Sequence, residues 1–393
     1  MKKKTLTFFI IIIIVSYKSI GFATIIDPGA FGFRAAGMGG AVVALPTDII
    51  SAFYYNPAGL TEINGTNAAG GIFHLRTSIK YETIGYSKKN SLNPIIPYFA
   101  FSTDKVNPVV LGVCMYTTVG SGFRFENYPL GNRLIDIESK AGLFSLNPTI
   151  AYNVNQRLSL GAEINVGYDV SETKIPLVTP TTQGYLQTET DGFGFGVTFG
   201  LLYKITHSFN LGLSWRSPMK THLKGDFQLD NFEGDLDEDH YWPQMLAAGI
   251  GYKVTPNLSL GLGLKWSDWS YFNKSKQKYK SIFPHVPITQ GAEDTIRFQI
   301  GLEYFPIKNL ALRCGYLHDP SAIKEEMISP MLPEMRINEI FCGIGFRYGK
   351  FLLDTGLNYG MLSTRRVSNS LTGYPGKYSG YRLGMGMEIT YSW

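Results

Sequence analysis

Cysteine is scarce in this 393-residue sequence: Cys114, Cys314 and Cys342 are the only three, and no CxxC pair occurs. An odd, dispersed set excludes a disulfide framework and a structural zinc site. It leaves the three as small apolar strand residues. Charge is also scarce, at 17% of residues. The six His are scattered without ligand spacing, and no Ser/His/Asp order marks a hydrolase. Neither a metal, a cofactor nor an enzymatic activity is therefore expected. Beyond the N-terminus no run of 18 apolar residues occurs, which excludes a transmembrane helix, since that needs about 20. Two residue classes are plentiful instead. Glycine is 43 of 393 residues without a three-residue period, which excludes collagen, and aromatics reach 14%, which excludes disorder.

Residues 1–23 read as a secretory signal peptide. Lys2, Lys3 and Lys4 precede an apolar run over 6–15, and Gly21 and Ala23 place small residues at a cleavage site. The run is about half as long as a membrane anchor requires. The leader carries four Lys and no acid, so the +5 of the whole chain falls to +1 without it. That is no footprint for nucleic acid, which needs a basic face in the folded domain.

The remainder alternates. Leu258, Leu260, Leu262, Leu264 and Trp266 are interleaved with Ser259, Gly261, Gly263 and Lys265. Phe193, Phe195, Val197, Phe199 and Leu201 are interleaved with small or polar residues in the same way. Period two puts one set on each face of a strand. A longer repeat orders the strands: Tyr152, Tyr203, Tyr252, Tyr304 and Tyr348 each end one strand before a short polar turn, and Phe101 is a sixth, less regular member. Six such turns imply twelve strands, and one more at each end makes fourteen. An even count, short turns on one side, long loops on the other and aromatic strand ends predict an all-β fold, a 14-stranded antiparallel transmembrane β-barrel in outer-membrane lipid. A soluble sandwich or propeller would alternate too, but would not explain the one-sided turns. The last residues, 381–393, are apolar or aromatic at every odd position and end on Trp393. This resembles the terminal strand that the barrel-assembly machinery recognises.

Residues 24–65 do not alternate. A Gly/Ala-rich stretch lacks the Lys-Ser/Thr of a phosphate loop, and it leads to Asn56-Pro57-Ala58-Gly59. Small residues permit close packing in a confined space, so this segment reads as an N-terminal hatch plugging the lumen of a 66–393 barrel. Here the chain resembles the FadL-type outer-membrane transporters of long-chain fatty acids and other hydrophobic compounds. Asn56-Pro57-Ala58-Gly59 matches their hatch signature. Asn147-Pro148, Leu213-Ser214-Trp215-Arg216-Ser217-Pro218, Trp266-Ser267-Asp268-Trp269-Ser270 and Leu332-Pro333-Glu334-Met335-Arg336 are similar to later elements in the same order. The resemblance implies passive uptake of a fatty acid or hydrocarbon by a monomer in the outer membrane of a Gram-negative bacterium. It also implies a gate at Asn56, Pro57, Ala58 and Gly59, and sideways exit into the bilayer at a kinked third strand.

Gly112 is the candidate bend, because Gly weakens a strand. Arg34, Arg216, Arg297 and Arg336 are candidate partners for a carboxylate head group. The third and fourth outer loops, roughly 171–190 and 220–243, show no amphipathic helix, and the acidic run in the second reads as a solvated loop. A same-fold accessory protein in secretion or interaction, and an open pore for polar solutes, are the alternatives.

Overall fold

The computed structural model describes residues 30–393 except 107, 131–132, 179–182, 230–231, 281–282 and 288–290. The expected leader, residues 1–23, lies outside the described residues. The alternating segments form fourteen antiparallel strands closed into a barrel. These are β1 (Thr66–Thr83), β2 (Tyr86–Leu92 and Ile95–Val106), β3 (Val109–Leu130), β4 (Arg133–Asn153), β5 (Leu158–Val178) and β6 (Gln183–Lys204). Then come β7 (Phe209–Arg216 and Met219–Leu229), β8 (Phe232–Trp242 and Met245–Thr255) and β9 (Leu258–Ser267, resumed at Lys276–Tyr279). The last five are β10 (Phe283–Pro287 and Thr295–Ile307), β11 (Leu310–Asp319), β12 (Ile337–Tyr348), β13 (Phe351–Val367) and β14 (Gly376–Ser392). The ring closes where β1 meets β14, from Asn67↔Ser392 to Glu82↔Lys377, so every strand has a neighbour and no edge faces lipid. Strands β2, β7 and β8 are interrupted beside Pro94, Pro218 and Pro243, where proline has no N–H to give the ladder.

Two expectations need correction. The segments read as the third and fourth outer loops are β-hairpins that continue the barrel upward. The β5–β6 ladder runs on to Val178↔Gln183, and β7–β8 to Leu229↔Phe232. Alternation persists there, but its outward set is polar: Lys220, His222, Lys224 and Asp226 are exposed. Water, not lipid, faces these residues, so apolar periodicity does not mark them. The acidic run is likewise no solvated loop, because Glu238 and His240 point inward and are buried.

At mid-height the outward set is apolar. Phe195 is 69% exposed and Leu357 62%, which is the lipid-facing band. Charges at the same level, including Glu163, Glu303, Arg313, Asp354 and Glu388, are buried in the lumen. A lipid-facing cation there would cost about 2–4 kcal/mol. The three cysteines are free strand residues, with Cys114 buried and Cys314 exposed directly opposite exposed Cys342.

The hatch fills the lower lumen with α1 (Phe33–Gly37), α2 (Ile49–Tyr55) and a 3-10 turn (Pro57–Glu62). Asp48 caps α2 by accepting from Ser51 N at 2.8 Å. Hatch backbone lies directly on wall glycines. A Cβ at Gly261 would stand 2.0 Å from Ala41 O, and one at Gly301 2.2 Å from Met38 O. Much of the glycine excess is therefore the imprint of the hatch on the wall.

Candidate functional site

Arg34 on α1 anchors the hatch. Its guanidinium donates to Glu303 Oε1 at 2.9 Å and Oε2 at 2.8 Å, to Asp48 Oδ2 at 3.3 Å and to Leu45 O at 2.9 Å. Burial opposes its charge, but Glu303 and Asp48 outweigh that and hold its pKa above the ordinary arginine range. Glu303 is shared with Arg313, which also reaches Asp354 at 2.6 Å. A second wall acid, Glu388, accepts from Phe33 N at 3.2 Å and Tyr98 Oη at 2.7 Å. Arg34 is thus a hatch anchor rather than a free head-group partner.

The Asn56-Pro57-Ala58-Gly59 segment sits low in the lumen. Asn56 Nδ2 donates to Val43 O at 2.8 Å and to Leu201 O at 3.0 Å, while its Oδ1 accepts from Ala58 N at 3.2 Å. One amide therefore ties the hatch to β6 and caps the 3-10 turn. Pro57 and Ala58 rest on Gly161 and Gly200: Cβ atoms there would lie 2.3 Å from Pro57 C and 2.2 Å from Asn56 Oδ1. Gly59 leaves room for Pro46, whose ring a Cβ would meet at 2.4 Å.

Above the hatch the lumen turns apolar. Ile79 and Tyr81 of β1, Phe123 and Phe125 of β3, Leu317 of β11, Phe341 of β12, Leu362 of β13 and Tyr378 of β14 form one buried cluster, with Ile323, Ile328 and Met335 contributed by the outer loop before β12. The Tyr81 and Tyr378 rings stack at 4.6 Å. Where this cluster meets the hatch, a cavity of about 40 Å³ is lined by Tyr54, Tyr55, Arg216, Lys265, Arg297 and Gln299, among others. Two of the four arginines expected from sequence are brought together here. Arg216 donates to Tyr116 Oη at 3.0 Å and lies over the Tyr54 ring at 5.4 Å. Arg297 pairs with Asp319 at 2.5 Å. Lys265 was missed, although the alternation that put Leu264 outward also put Lys265 inward. Arg336 is exposed just before β12 and is not part of the lumen, which corrects that expectation.

The third strand holds the last feature. Gly112 pairs in register with Ser102 of β2 and Thr149 of β4, so it is no bend. It is glycine because a Cβ would press 2.6 Å from Phe53 of α2. The irregularity comes six residues later, where the β3–β4 register slips between Thr117 and Val119. At that height the β2–β3 ladder ends at Phe99↔Met115. Among the described residues, no pairing joins 95–98 of β2 to 116–119 of β3, although 95–98 stay paired to β1. The resulting window is closed above by Tyr86, whose hydroxyl donates to Glu126 O at 3.0 Å. On the lumen side Phe31 of the hatch packs on Tyr98 at 4.8 Å, Tyr54 at 5.0 Å and Tyr116 at 5.5 Å.

A fourteen-stranded barrel with an internal hatch is the fold that the FadL resemblance implies. The family described as "Outer membrane protein transport protein (OMPP1/FadL/TodX)" matches residues 29–393. The chain belongs to this family. Its place is the outer membrane of a Gram-negative bacterium. Among curated relatives, the long-chain fatty acid transport proteins of Escherichia coli O6:H1 and Salmonella typhi are each 23% identical, over 43% and 42% of this chain. Each match covers 42% of the relative, so the chain aligns with under half the length of these proteins. A Pseudomonas aeruginosa FadL homologue superposes with a TM-score of 0.83 at 16% identity, covering 95% of this chain and 99% of that one. The P. putida toluene transporter TodX gives 0.75 at 16% identity, over 93% and 99%. At these identities the superpositions establish the FadL/TodX barrel fold.

Proposed function

We propose that this member of the OMPP1/FadL/TodX family carries hydrophobic small molecules, fatty acids or hydrocarbons, passively inward across the outer membrane. The observation that carries the reading is the buried apolar cluster in the upper lumen, directly above a hatch that fills the lower lumen. A pore for polar solutes would keep that chamber wet. Each CH₂ taken from water into it gains about 0.8 kcal/mol. The substrate class follows relatives named for long-chain fatty acid and toluene transport. Arg216, Lys265 and Arg297 at the floor of the chamber would meet a carboxylate head, and a hydrocarbon would bypass them. The 95–98/116–119 window, lined by Phe31, Tyr98 and Tyr116, is the lateral exit, opened when the hatch shifts Phe31. The gate role of Asn56, Pro57, Ala58 and Gly59 is then indirect: they seat the hatch against β5 and β6, away from the window.

Mass spectrometry of small molecules retained by the purified barrel is the test. An apolar ligand that is retained, and lost on replacing Phe123 and Phe341 by Asp, is expected. A barrel that retains none and conducts ions steadily in planar bilayers overturns the reading.

A further inference from the structure

We propose that the outward face of β13, β14, β1 and the upper segment of β2 binds the phosphate groups of a phosphorylated glycolipid in the outer leaflet. Outward positions there can be followed upward from the lipid band. Tyr359, Leu383 and Met385 are exposed at band level, and Met361 and Tyr381 sit opposite each other above them. Arg76 on β1 lies directly across from Leu383, and immediately beyond Tyr381 the same face carries Lys80 and Glu82 on β1, Lys89 on β2, Arg366 on β13 and Lys377 on β14. That is five cations and one carboxylate.

The register makes this arrangement unfavourable on its own. Lys80 lies directly across from Lys89, and Arg366 directly across from Lys377, and like charges so placed destabilise a sheet. The one acid is shared: Glu82 accepts from Lys80 at 2.6 Å and Lys377 at 3.4 Å. Lys89 rests over the Tyr381 ring at 5.1 Å. Among the described residues, Arg76, Lys89 and Arg366 have no carboxylate partner.

The opposite side of the barrel shows that this is not simply how outer strands are built. There Lys220 pairs with Asp239 at 3.1 Å, and Lys280 with Asp235 and Asp237 at 3.5 Å. Cation and acid stripes alternate strand by strand, and the face neutralises itself. On β13 to β2 the compensating anion must come from outside. An open cavity of about 230 Å³ adjoins Lys89, lined by Lys88, Asn90, Ser91, Arg124, Phe125 and Glu126, with room for part of a sugar head group. A belt of tyrosine and methionine below and unpaired cations above suits a molecule with acyl chains and phosphates. A free anion has no use for the apolar half.

The test uses the full-length barrel in mild detergent, its folding checked by heat-modifiable gel migration. Native mass spectrometry compares a diphosphorylated lipid A-type glycolipid, its dephosphorylated form and inorganic phosphate. The proposal expects retention of the diphosphorylated form only. Replacing Arg76, Lys89, Arg366 and Lys377 together by Gln should weaken it by about tenfold or more, because charge-assisted contacts are lost. Replacing Lys220, Lys224 and Lys278 by Gln on the balanced face should leave it unchanged. If the fourfold variant does not fold, exposed Lys89→Gln and Arg366→Gln are read singly, with the same direction expected. Equal retention by the variant, equal loss on the balanced face, or inorganic phosphate binding as tightly as the glycolipid would each overturn the proposal.

Discussion

Replacing Arg34 by Met tests whether the hatch is held by charge. The side chain makes two bonds to Glu303, one to Asp48 and one to Leu45 O, all buried. Methionine fills similar volume but leaves Asp48 without its cation. Removing one partner of a buried pair costs about 3–5 kcal/mol. Because Arg313 still satisfies Glu303 at 2.8 Å, the lower end applies. About 3 kcal/mol raises the undocked fraction of the hatch about 150-fold at 1.36 kcal/mol per decade. Hydrogen exchange followed by mass spectrometry reads this directly. Peptides spanning 33–62 should exchange about two decades faster, while strand peptides stay protected, because no ladder bond involves Arg34. Arg34→Lys should recover only part of the protection, since a point charge cannot reproduce the bidentate fork. Unchanged hatch exchange, or equal acceleration across the strands, would refute the argument that this pair governs docking.

Three further outcomes follow from the same geometry. Gly200→Val places methyls where Asn56 Oδ1 and Pro57 now lie. Overpacking costs about 1–3 kcal/mol, and planar-bilayer recordings should show more frequent openings, with none in Gly70→Val, where the nearest atom to an added Cβ stands 3.8 Å away. Asn56→Ala leaves Val43 O without its donor and removes the tie to Leu201 O, at about 1–3 kcal/mol for the buried carbonyl left unsatisfied. Protease sensitivity of the hatch should rise in proportion. The third concerns His240, in the water-exposed extension above the band. Burial pushes its pKa down, but Asp169 at 2.9 Å and Glu238 at 3.3 Å outweigh that and hold it up to about 10. A raised pKa gives stability that is complete below the unfolded value near 6.5 and is lost as pH rises through about 10. Trp242, edge-on to the imidazole at 5.7 Å, should report a fluorescence transition near pH 10. His240→Gln should abolish it, and a midpoint near 6.5 would contradict the coupling.

The barrel was legible because lipid imposes a strict rule on each strand: apolar outward, anything tolerable inward. Leu258 to Trp266 obey it, and all fourteen expected strands are found. Where water replaces lipid the rule relaxes, so Lys220, His222 and Lys224 hid a strand inside what reads as a loop. The lumen was legible only in part, because its rule is pairing, and pairing joins residues far apart in the chain. Arg34 and Glu303 are 269 positions apart, and nothing local in either marks the other. Gly112 shows the limit most plainly. Sequence offers two reasons for a glycine in a strand, a bend or a close approach, and gives no means to choose. The structure chooses close approach, to Phe53, and moves the irregularity to Thr118. That choice carries a functional consequence. If the wall yielded at Gly112, the exit would lie under α2 and demand expulsion of the hatch. On the proposed function, with exit at 116–119, the hatch need only withdraw Phe31 from its three tyrosines, and the Arg34 anchor can remain in place while a molecule leaves.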